Sequence, residues 1–384
     1  MTAAQNPLAQ APVTLNPERI AALRGKSLLL TTDFDDAELA ALLSVAQAFA
    51  RLDFAGRRTD FLPAQLAYAL FFDNSTRTKS AWAGAAARLG MQPVIIDGHT
   101  TQIAHGETVE ETGTMLGMNA HACGVRHDLI LGGGQTFMRD FRKGIELYLD
   151  ATRDSRRVPV VNLQCDVDHP TQSLADLRFL QEKYGDLRGK KITVSWAYSP
   201  SYAKPLSVPQ GLIMLMTRFG AEVTLAHPEG YDLLPDTLKT ARDNVERCGG
   251  SFRVTHDMDD AFRGAHVVYP KSWGPMSLMY ERVGADKAKM AEVEQRMLAL
   301  NAQHKSWICD ERRMGLTNDA QYMHCLPADI GAEVSSGVMS KFRVDLAREA
   351  NEKLYVIMAA IAAAKVEGLA EKLAGAGGDH VRLG

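Results

Sequence analysis

The stretch Asp73-Asn74-Ser75-Thr76-Arg77-Thr78-Lys79 separates an apolar segment of strand length from an alanine-rich segment. The apolar residues 66–72 predict a β-strand, and the alanine-rich residues 81–89 predict an α-helix. The polar residues between them therefore lie at a strand-to-helix turn. In parallel α/β folds, ligands bind at the carboxyl ends of the strands, so this turn is a candidate site.

The turn has the chemistry of an anion site. Its first three residues are good N-cap types, and the backbone N–H groups of a first helical turn are unpaired. The helix dipole adds partial positive charge, and the Arg77 guanidinium can hold two phosphate oxygens. Further donors are the hydroxyl groups of Ser75, Thr76 and Thr78. The alternative is an ordinary capped helix whose Arg77 and Lys79 side chains are solvated.

Composition limits the classes of protein to which the chain can belong. Its 384 residues are 46% hydrophobic, which is enough for two domains with full cores. The formal net charge of -3 gives no general attraction to nucleic acid or to anionic membranes. The five cysteines form no Cys-x-x-Cys pair, so we predict reduced thiols, no zinc site and a cytoplasmic location. We expect neither a signal peptide nor a transmembrane helix.

Strand and helix patterns alternate along most of the chain, which predicts an α/β fold with parallel sheets covered on both faces. A polar, glycine-containing segment breaks the alternation at residues 187–191, after which it restarts. We therefore predict two doubly wound parallel-sheet domains with a ligand-binding cleft between the carboxyl ends of their sheets.

Both ends of the chain lie outside this alternation. Residues 1–16 have no periodicity and are predicted to form a mobile arm or an oligomer contact. An alanine-rich helix over residues 352–373 is predicted to close the chain, and the glycine-rich residues 375–378 are predicted to be disordered.

A second polar segment, Asp168-His169-Pro170-Thr171-Gln172, follows a predicted strand and opens a predicted helix. His169 and Gln172 are three residues apart, so both can face one way on a first helical turn. Both side chains could donate hydrogen bonds to a carbonyl oxygen, as an oxyanion hole does in acyl transfer. Alternatively, Asp168 and Thr171 only cap the helix.

A third segment, Tyr322-Met323-His324-Cys325-Leu326-Pro327, ends a predicted strand. Pro327 forces Leu326 into an extended or turn conformation, which leaves backbone carbonyls free to accept hydrogen bonds from a substrate NH2 group. A nucleophilic pair of Cys325 and His324 is disfavoured, because adjacent strand residues point to opposite faces.

Three further positions complete the set. Arg126 stands at the carboxyl end of a predicted strand in the same half of the chain as Arg77, which suits a doubly charged ligand. Lys271 and Trp273 could hold a carboxylate and enclose an apolar part of a substrate, or be a buried tryptophan beside a lysine that reaches solvent. The chain has no GxGxxG after a strand and no P-loop or HExxH motif, so dinucleotide enzymes, P-loop NTPases and zinc proteases lack support.

Three of these motifs together resemble the aspartate and ornithine carbamoyltransferase family. They are Ser75-Thr76-Arg77-Thr78, His169-Pro170-Thr171-Gln172 and His324-Cys325-Leu326-Pro327, in that order and at that separation. Each motif is short, but together they span most of the chain and are highly specific. The segment Gln102-Ile103-Ala104-His105, which alone predicts only a solvated loop, is similar to an ornithine-type loop that reaches the active site of the neighbouring subunit.

By this resemblance the chain is an enzyme, a carbamoyltransferase. Its carbamoyl phosphate-binding domain comprises residues 1–173 and 351–384, the latter carrying a C-terminal helix that returns to this domain. Residues 174–350 form the domain that binds the amine substrate. The resemblance implies a homotrimer with sites at subunit boundaries, where Gln102 arrives from the next protomer, and it implies no cofactor and no metal.

The resemblance also implies a role for each motif residue. The phosphate is held by Ser75, Thr76, Arg77 and Thr78. The carbamoyl oxygen is held by Arg126, His169 and Gln172. The carbonyls of Cys325 and Leu326 accept from the carbamoyl NH2 group. An uncharged amine then attacks the carbonyl carbon, charge builds on its oxygen, and phosphate departs from a site built for an anion.

Two segments depart from the pattern of the ornithine members. Those members have an Asp and a Ser-Met-Gly segment where this chain has Lys271-Ser272-Trp273-Gly274-Pro275-Met276, so ornithine is not expected as second substrate. This run and Lys204-Pro205-Leu206 resemble the acetylornithine branch of the family, and this resemblance implies a backbone knot. Within that branch, the chain is most similar to bacterial carbamoyltransferases of catabolic settings. Near the end, Glu349-Ala350-Asn351-Glu352-Lys353 replaces the usual Ala-Glu-Asn-Arg, which favours Lys353 over Arg348 as the basic substitute.

Two hypotheses of function follow. The first is a carbamoyltransferase that moves a carbamoyl group between carbamoyl phosphate and a nitrogen of a small carboxylate-bearing metabolite. In catabolism the same site would run phosphorolysis of an N-carbamoyl compound. The rival is a non-catalytic phosphate-ligand sensor or assembly subunit that retains the fold. Arg77, His169 and Gln172 together favour the enzyme, because phosphate binding alone has no use for a carbamoyl-polarising pair.

Overall fold

The computed structural model describes residues 12–384. The α-helices are α1 (Pro17–Ala21), α2 (Asp36–Phe54), α3 (Thr76–Arg88), α4 (Val109–Gly117), α5 (Gly133–Thr152), α6 (Pro170–Tyr184), α7 (Ser207–Arg218), α8 (Pro235–Cys248), α9 (Met258–Phe262), α10 (Met276–Glu281), α11 (Lys287–Asn301), α12 (Glu311–Met314), α13 (Ser336–Lys365) and α14 (Leu369–Gly377). The β-strands are β1 (Val13–Leu15), β2 (Leu66–Phe71), β3 (Gln92–Asp97), β4 (Ala122–Arg126), β5 (Val160–Gln164), β6 (Lys191–Trp196), β7 (Glu222–Ala226), β8 (Ser251–Thr255), β9 (Val267–Lys271), β10 (Gln321–Tyr322) and β11 (Val381–Leu383). Single 3-10 turns occupy Thr31–Asp33, Gly98–Thr100, Gln102–His105, Ala302–His304 and Gly378–His380.

Most of the strands form two parallel sheets. The first sheet has the strand order β3-β2-β4-β5, and the second has the order β10-β9-β6-β7-β8. Every neighbouring pair in both sheets runs parallel. The predicted fold class, two α/β domains with parallel sheets and helices, is therefore confirmed. The backbone knot stays a prediction.

The long helix α13 ties the end of the chain to its first half. It begins beyond the second sheet, where Ser335 caps it by accepting a hydrogen bond from the Val338 N–H. It then packs against α2, α3 and α6. Residues 352–364 are buried without interruption, so this half of α13 passes through the core. The prediction that the C-terminal helix returns to the first domain is confirmed, and Lys353 is buried with it.

Most of the polar motifs of the sequence lie at or just after the carboxyl end of a strand. Helix α3 starts just after β2, and Arg126 is the last residue of β4. His169 follows β5, Lys271 is the last residue of β9, and Tyr322 is the last of β10. Because parallel strands present their carboxyl ends at one edge, the topology brings together residues that are up to 250 positions apart in the chain.

Several element boundaries differ from the predicted ones. Helix α3 extends from the alanine-rich residues back to Thr76, and its N-cap is Ser75, one of the three residues predicted to be of N-cap type. Strand β8 and helix α11 were not predicted, since β8 is a largely exposed edge strand and α11 buries few of its side chains. The prediction of a single final helix over residues 352–373 is wrong. Helix α13 ends at Lys365, and α14 starts after Gly368, whose φ of 59° interrupts the helical path.

The two ends of the described chain meet. Strand β1 pairs in parallel with β11, and Val13 lies opposite Val381. The prediction of disorder at residues 375–378 is wrong, because these residues end α14 and lead through a 3-10 turn into β11. Of the predicted N-terminal arm, residues 1–11 lie outside the described residues. Within residues 12–384, no helix combines the length and apolarity needed to cross a membrane.

Candidate active site

One cavity between the two sheets collects most of the predicted site residues. The predicted residues in its lining are Ser75, Arg77, Thr78, Arg126, His169, Lys271, Cys325, Leu326 and Lys353. Thr76 lines the wider cleft that adjoins this cavity. The residues that the structure does not bring to the cavity wall are Gln102, Gln172 and Trp273.

The N-terminus of α3 forms one wall of the cavity. Ser75 has the extended backbone of an N-cap residue, and its Oγ accepts a hydrogen bond from the Thr78 N–H at 3.2 Å. The other backbone N–H groups of this first turn have no earlier helical carbonyl to bond. The Thr78 hydroxyl, which is buried, accepts from the Lys353 ammonium at 3.4 Å. The wall thus combines unpaired N–H groups, hydroxyls and positive charge, which is the chemistry of an anion site.

The Arg77 side chain connects the two halves of the molecule. Its Nε donates to the backbone carbonyl of Cys325 at 3.2 Å, and its Nη2 donates to the carbonyl of Leu326. Among residues 12–384 no carboxylate oxygen lies within ion-pair distance of this guanidinium. Burial lowers the pKa of Arg77, but an arginine stays charged. The cleft therefore holds a guanidinium that is hydrogen-bonded yet not neutralised.

His169 is the residue that precedes α6, and its side chain is buried in the cavity wall. Its Nδ1 lies 3.3 Å from the Thr171 hydroxyl. Burial, and after it the positive charge of Lys353, lowers the pKa of His169 well below its ordinary value. The imidazole is therefore neutral near pH 7 and can donate one hydrogen bond to a ligand oxygen without adding a charge.

Gln172 lies one helical turn further on and is turned away from the cavity. Its Nε2 donates to Asp176 Oδ1 at 2.7 Å and approaches Glu349 Oε1 at 3.4 Å. Both carboxyl groups are buried, and burial raises the pKa of Asp176 to about 6 and that of Glu349 well above its usual range. The NH2 group expected to polarise a carbonyl oxygen is thus engaged with these two acids, because α6 presents it to α13 rather than to the cleft.

The third motif folds back on itself over the cavity. The Leu326 N–H donates to His324 Nδ1 at 2.8 Å, and Leu326 has a φ of 53°. This turn directs the Cys325 and Leu326 carbonyls at the same guanidinium, that of Arg77. A carbonyl oxygen has two lone pairs, so each can still accept from a ligand NH2 group. The expected role of these two carbonyls is compatible with the observed turn.

Arg126 is held in place by a buried partner. Its Nη2 lies 2.8 Å from Asp128 Oδ2, and Asp128 is almost wholly buried. The Asp128 N–H in turn donates to Asp73 Oδ2 at 3.1 Å, which links the end of β4 to the turn after β2. The Arg126 Nε is buried and has no hydrogen-bond partner among the described residues. The guanidinium therefore has a free donor beside the cavity.

Two lysines in the cavity wall lack an acidic partner. Lys353 donates to Thr78, and the Lys271 ammonium donates to the carbonyls of Pro205 at 3.0 Å and Ser272 at 2.8 Å. Neither has a carboxylate oxygen within 4 Å among residues 12–384. Burial lowers the pKa of each to about 8. Both are therefore mostly charged at pH 7 and lose that charge in mildly alkaline solution.

Sequence reasoning assigned no site role to Lys204, which also lines the cavity. Its ammonium lies 2.5 Å from Glu333 Oε2 and 3.2 Å from Asp329 Oδ2. Glu333 also accepts from the Ser272 N–H at 2.7 Å and the Asp329 N–H at 2.8 Å. One buried carboxylate thus holds together the loop after β6, the loop after β9 and the segment beyond His324. The only sequence signal for Lys204 was the resemblance of the run Lys204-Pro205-Leu206 to the acetylornithine branch.

Two predicted residues lie elsewhere. The Trp273 side chain is fully buried in the second domain's core, where its Nε1 donates to the Tyr231 carbonyl at 2.8 Å. This position matches the alternative of a buried tryptophan. Gln102 is exposed on a 3-10 turn and does not line the cavity of its own chain. A Gln102 that acts at an active site would have to act at that of another subunit.

Comparison with known families identifies the architecture. Residues 26–182 match the family model of the aspartate/ornithine carbamoyltransferase carbamoyl-P binding domain, and residues 205–364 match that of the Asp/Orn binding domain. The chain belongs to the aspartate/ornithine carbamoyltransferase family. The predictions of an enzyme of the carbamoyltransferase class and of a carbamoyl phosphate-binding domain are confirmed.

Named carbamoyltransferases are similar to this chain over most of its length. The protein named "Putative carbamoyltransferase YgeW" of Escherichia coli (strain K12) is 46% identical over 358 residues, which cover 89% of this chain and 90% of that one. N-acetylornithine carbamoyltransferase of Xylella fastidiosa (strain Temecula1) is 32% identical over 357 residues, or 88% and 98% of the two chains. The crystal structure of acetylornithine transcarbamylase complexed with acetylcitrulline is similar with a TM-score of 0.73 at 29% identity, covering 89% of this chain and 100% of that chain.

Glu333→Gln tests whether this buried carboxylate holds the loops of the carbamoyltransferase together. The change keeps the side-chain volume but leaves the Lys204 ammonium without its nearest counterion, so we expect unfolding to become easier by about 3–5 kcal/mol. Asp329→Asn is the matched control, because Asp329 is partly exposed and the same lysine keeps Glu333; we expect about 1 kcal/mol. Denaturant unfolding followed by circular dichroism measures both. Equal losses would contradict the role given to Glu333.

Proposed function

We propose that the protein transfers a carbamoyl group between carbamoyl phosphate and a nitrogen of a small carboxylate-bearing metabolite in the cavity between the two sheets. The observation that carries the proposal is that the N-terminus of α3, His169 and the carbonyls of Cys325 and Leu326 meet in one cavity. An anion site beside a neutral imidazole and two free carbonyl lone pairs suits a ligand with a phosphate, a carbonyl oxygen and an NH2 group.

In this proposal the phosphate lies at the N-terminus of α3. Ser75, Thr76, Arg77 and Thr78 hold it, and Lys353 supplies the basic group from α13. Support comes from the Lys353 ammonium, which lies 3.4 Å from the Thr78 hydroxyl. The Arg77 guanidinium has five N–H groups and uses two of them on the Cys325 and Leu326 carbonyls, so the other three can donate to the phosphate.

The carbamoyl oxygen lies toward His169 and Arg126. As an uncharged amine forms the new C–N bond, negative charge builds on this oxygen, and the two donors stabilise it. The bond from carbon to the bridging oxygen then breaks, phosphate leaves with the bonding electrons, and the amine proton passes to phosphate or water. Gln172 acts indirectly in this proposal: its hydrogen bonds to Asp176 and Glu349 hold α6, which carries His169 at its start, in position against α13. Phosphorolysis of an N-carbamoyl compound in a catabolic setting is the reverse of these steps, through the same transition state.

Two features of the assembly belong to the same proposal. Residues 1–173 with 351–384 form the carbamoyl phosphate domain, and residues 174–350 form the second-substrate domain; the packing of α13 on α2 and α3 supports this division. We also propose a homotrimer in which Gln102 completes the site of the adjacent subunit. The exposed position of Gln102, and the exposed Ile95 on the neighbouring edge strand β3, support it. The five unpaired cysteines support a cytoplasmic location.

Arg77→Ala tests the phosphate site. Two charge-assisted contacts to the phosphate are lost, so we expect carbamoyl phosphate affinity to fall by about 100-fold, equivalent to about 3 kcal/mol. Isothermal titration calorimetry measures it. Arg343→Ala is the control, because this exposed arginine of α13 lies outside the cavity; its affinity should match the unsubstituted protein. Equal affinity in both variants would exclude the site. Tight binding without phosphate release in the presence of any amine would favour the non-catalytic sensor.

The lysine pKa values predict how binding depends on pH. Lys353 and Lys271 are charged below their pKa values of about 8 and neutral above them. Because carbamoyl phosphate stays dianionic over this range, its affinity should be greatest near pH 7 and fall by about tenfold by pH 9.5. In Lys353→Arg the charge persists, so the fall should be smaller. Calorimetric titrations at four pH values measure both proteins, and a flat profile in the unsubstituted protein would contradict the assignment.

A further inference from the structure

Two carboxyl groups are buried side by side behind the cavity wall. Asp176 lies on α6, the helix that follows His169, and Glu349 lies on α13, one helical turn before Lys353. The Gln172 Nε2 donates to Asp176 Oδ1 at 2.7 Å and approaches Glu349 Oε1 at 3.4 Å. The two carboxyl groups are also within hydrogen-bond reach of each other. The pair therefore joins two helices that each carry a residue of the cavity wall.

The oxygens of this pair have fewer donors than two carboxylates need. Gln172 serves Asp176 Oδ1, and the His324 N–H approaches Glu349 Oε2 at 3.4 Å. Asp176 Oδ2 is buried and finds no donor within residues 12–384. Two full negative charges this close repel each other strongly away from water. One proton held between the groups removes that repulsion and gives Asp176 Oδ2 the hydrogen bond that it lacks.

The other titratable side chains that face the pair come from three elements. They are Lys353 of α13, Tyr269 of β9 and Cys325 of the turn after β10. The Lys353 ammonium stabilises one ionised carboxyl group of the pair. Burial raises the pKa of Asp176 to about 6 and that of Glu349 well above its usual range. Near pH 7 these surroundings favour a pair with one proton and one negative charge.

Glu349 also contacts the third sequence motif. Its Oε2 accepts from the His324 N–H, and His324 Nδ1 in turn accepts from the Leu326 N–H at 2.8 Å. The Cys325 and Leu326 carbonyls leave the same turn and bond to Arg77. A displacement of the His324 backbone would therefore move both carbonyls in the cavity.

We propose that Asp176 and Glu349 share one proton and act as positioning residues, which hold the His324 backbone and with it the turn over the cavity. The carboxyl group that carries the proton donates it to the carboxylate of the other, so neither acid needs a donor from water. The positioning role rests on the proposed function, because it concerns the carbonyls that face the carbamoyl NH2 group. The shared proton does not depend on that function.

Counting protons tests the sharing without any ligand. In the unfolded chain both acids are ionised near pH 7, so unfolding releases a shared proton. The unfolding equilibrium constant of the full-length protein should therefore rise with pH, and more steeply than that of the double variant Asp176→Asn/Glu349→Gln, by about tenfold per pH unit. Denaturant unfolding between about pH 6.5 and 7.5 measures both slopes.

The proton count has three outcomes. A difference of one proton supports the proposal. No difference, as expected for two carboxylates, or about a hundredfold per pH unit, as expected for two neutral acids, would overturn it. The comparison is repeated in Lys353→Arg chains, where the neighbouring charge does not titrate. A difference that vanishes there would assign the proton to Lys353 and would also overturn the proposal.

Ligand affinity tests the positioning. Glu349→Ala removes the acceptor of the His324 N–H, so carbamoyl phosphate affinity, measured by calorimetry, should fall about tenfold. In Glu349→Gln the amide can donate to Asp176 and accept from the His324 N–H, so affinity should be retained. The matched control is Glu352→Ala, which breaks another buried contact between α6 and α13, the 2.7 Å bond to Arg178. It should lower stability and leave affinity unchanged.

Equal losses of affinity in Glu349→Ala and Glu352→Ala would reduce the role of the pair to helix packing and overturn the positioning. A loss in Glu349→Gln as large as that in Glu349→Ala would do the same. If Glu349→Ala does not fold, Glu349→Gln and the proton count still decide. Failure of carbamoyl phosphate to bind the unsubstituted protein would overturn the proposed function, whereas the proton count would stand.

Discussion

The bonds from the Arg77 guanidinium to the carbonyls of Cys325 and Leu326 join the two sheets at the point where the chemistry is proposed. Arg77 lies on the first helical turn after β2, and the two carbonyls lie in the turn that follows β10, about 250 residues later in the chain. Two other features keep these segments in contact. Helix α13 carries the chain back to the first domain, and the Lys204–Glu333 pair holds the loops of the second domain beneath the turn.

The contact between the two sheets creates a cavity lined by more positive than negative charge. The proposed reaction depends on this positive charge. A phosphate leaving group departs most readily from groups that already stabilise its charge. A neutral imidazole at His169 adds a hydrogen bond to the carbonyl oxygen without adding to the repulsion among the cations. Burial keeps His169 neutral and makes the lysines titrate near pH 8, so one physical cause, desolvation, shapes both roles.

Much of this was predictable from the sequence. The alternation of strand and helix patterns predicts the two parallel sheets, and polar residues directly after apolar runs predict which side chains stand at the carboxyl ends. The structure places His169 and Arg126 in the cavity wall, and both stand near the end of the strand that positions them, so local sequence is enough to locate them. Lys353 also lines the cavity, but it lies within α13, and only the family resemblance indicated its role.

Contacts between distant segments were not predictable in this way. Gln172 has the expected spacing from His169, yet its amide is drawn to Asp176 and Glu349, and Glu349 comes from α13. Lys204 lines the cavity, and its ammonium is held there by Glu333, which is 129 residues away in the chain. Trp273 lies two residues from Lys271 but packs into the core. In each case a residue from another element fixes the position of the side chain, and the sequence pattern of a single segment does not reveal such a contact.

A crystal structure of the protein with bound carbamoyl phosphate tests the central claim most directly. The account predicts the phosphate at the N-terminus of α3, within hydrogen-bond distance of Ser75, Arg77, Thr78 and Lys353, with the carbamoyl oxygen toward His169 and Arg126. It also predicts that Arg77 contacts the phosphate while the Cys325 and Leu326 carbonyls face the NH2 group. A ligand bound outside this cavity, or inside it without contact to Arg77, would contradict the account.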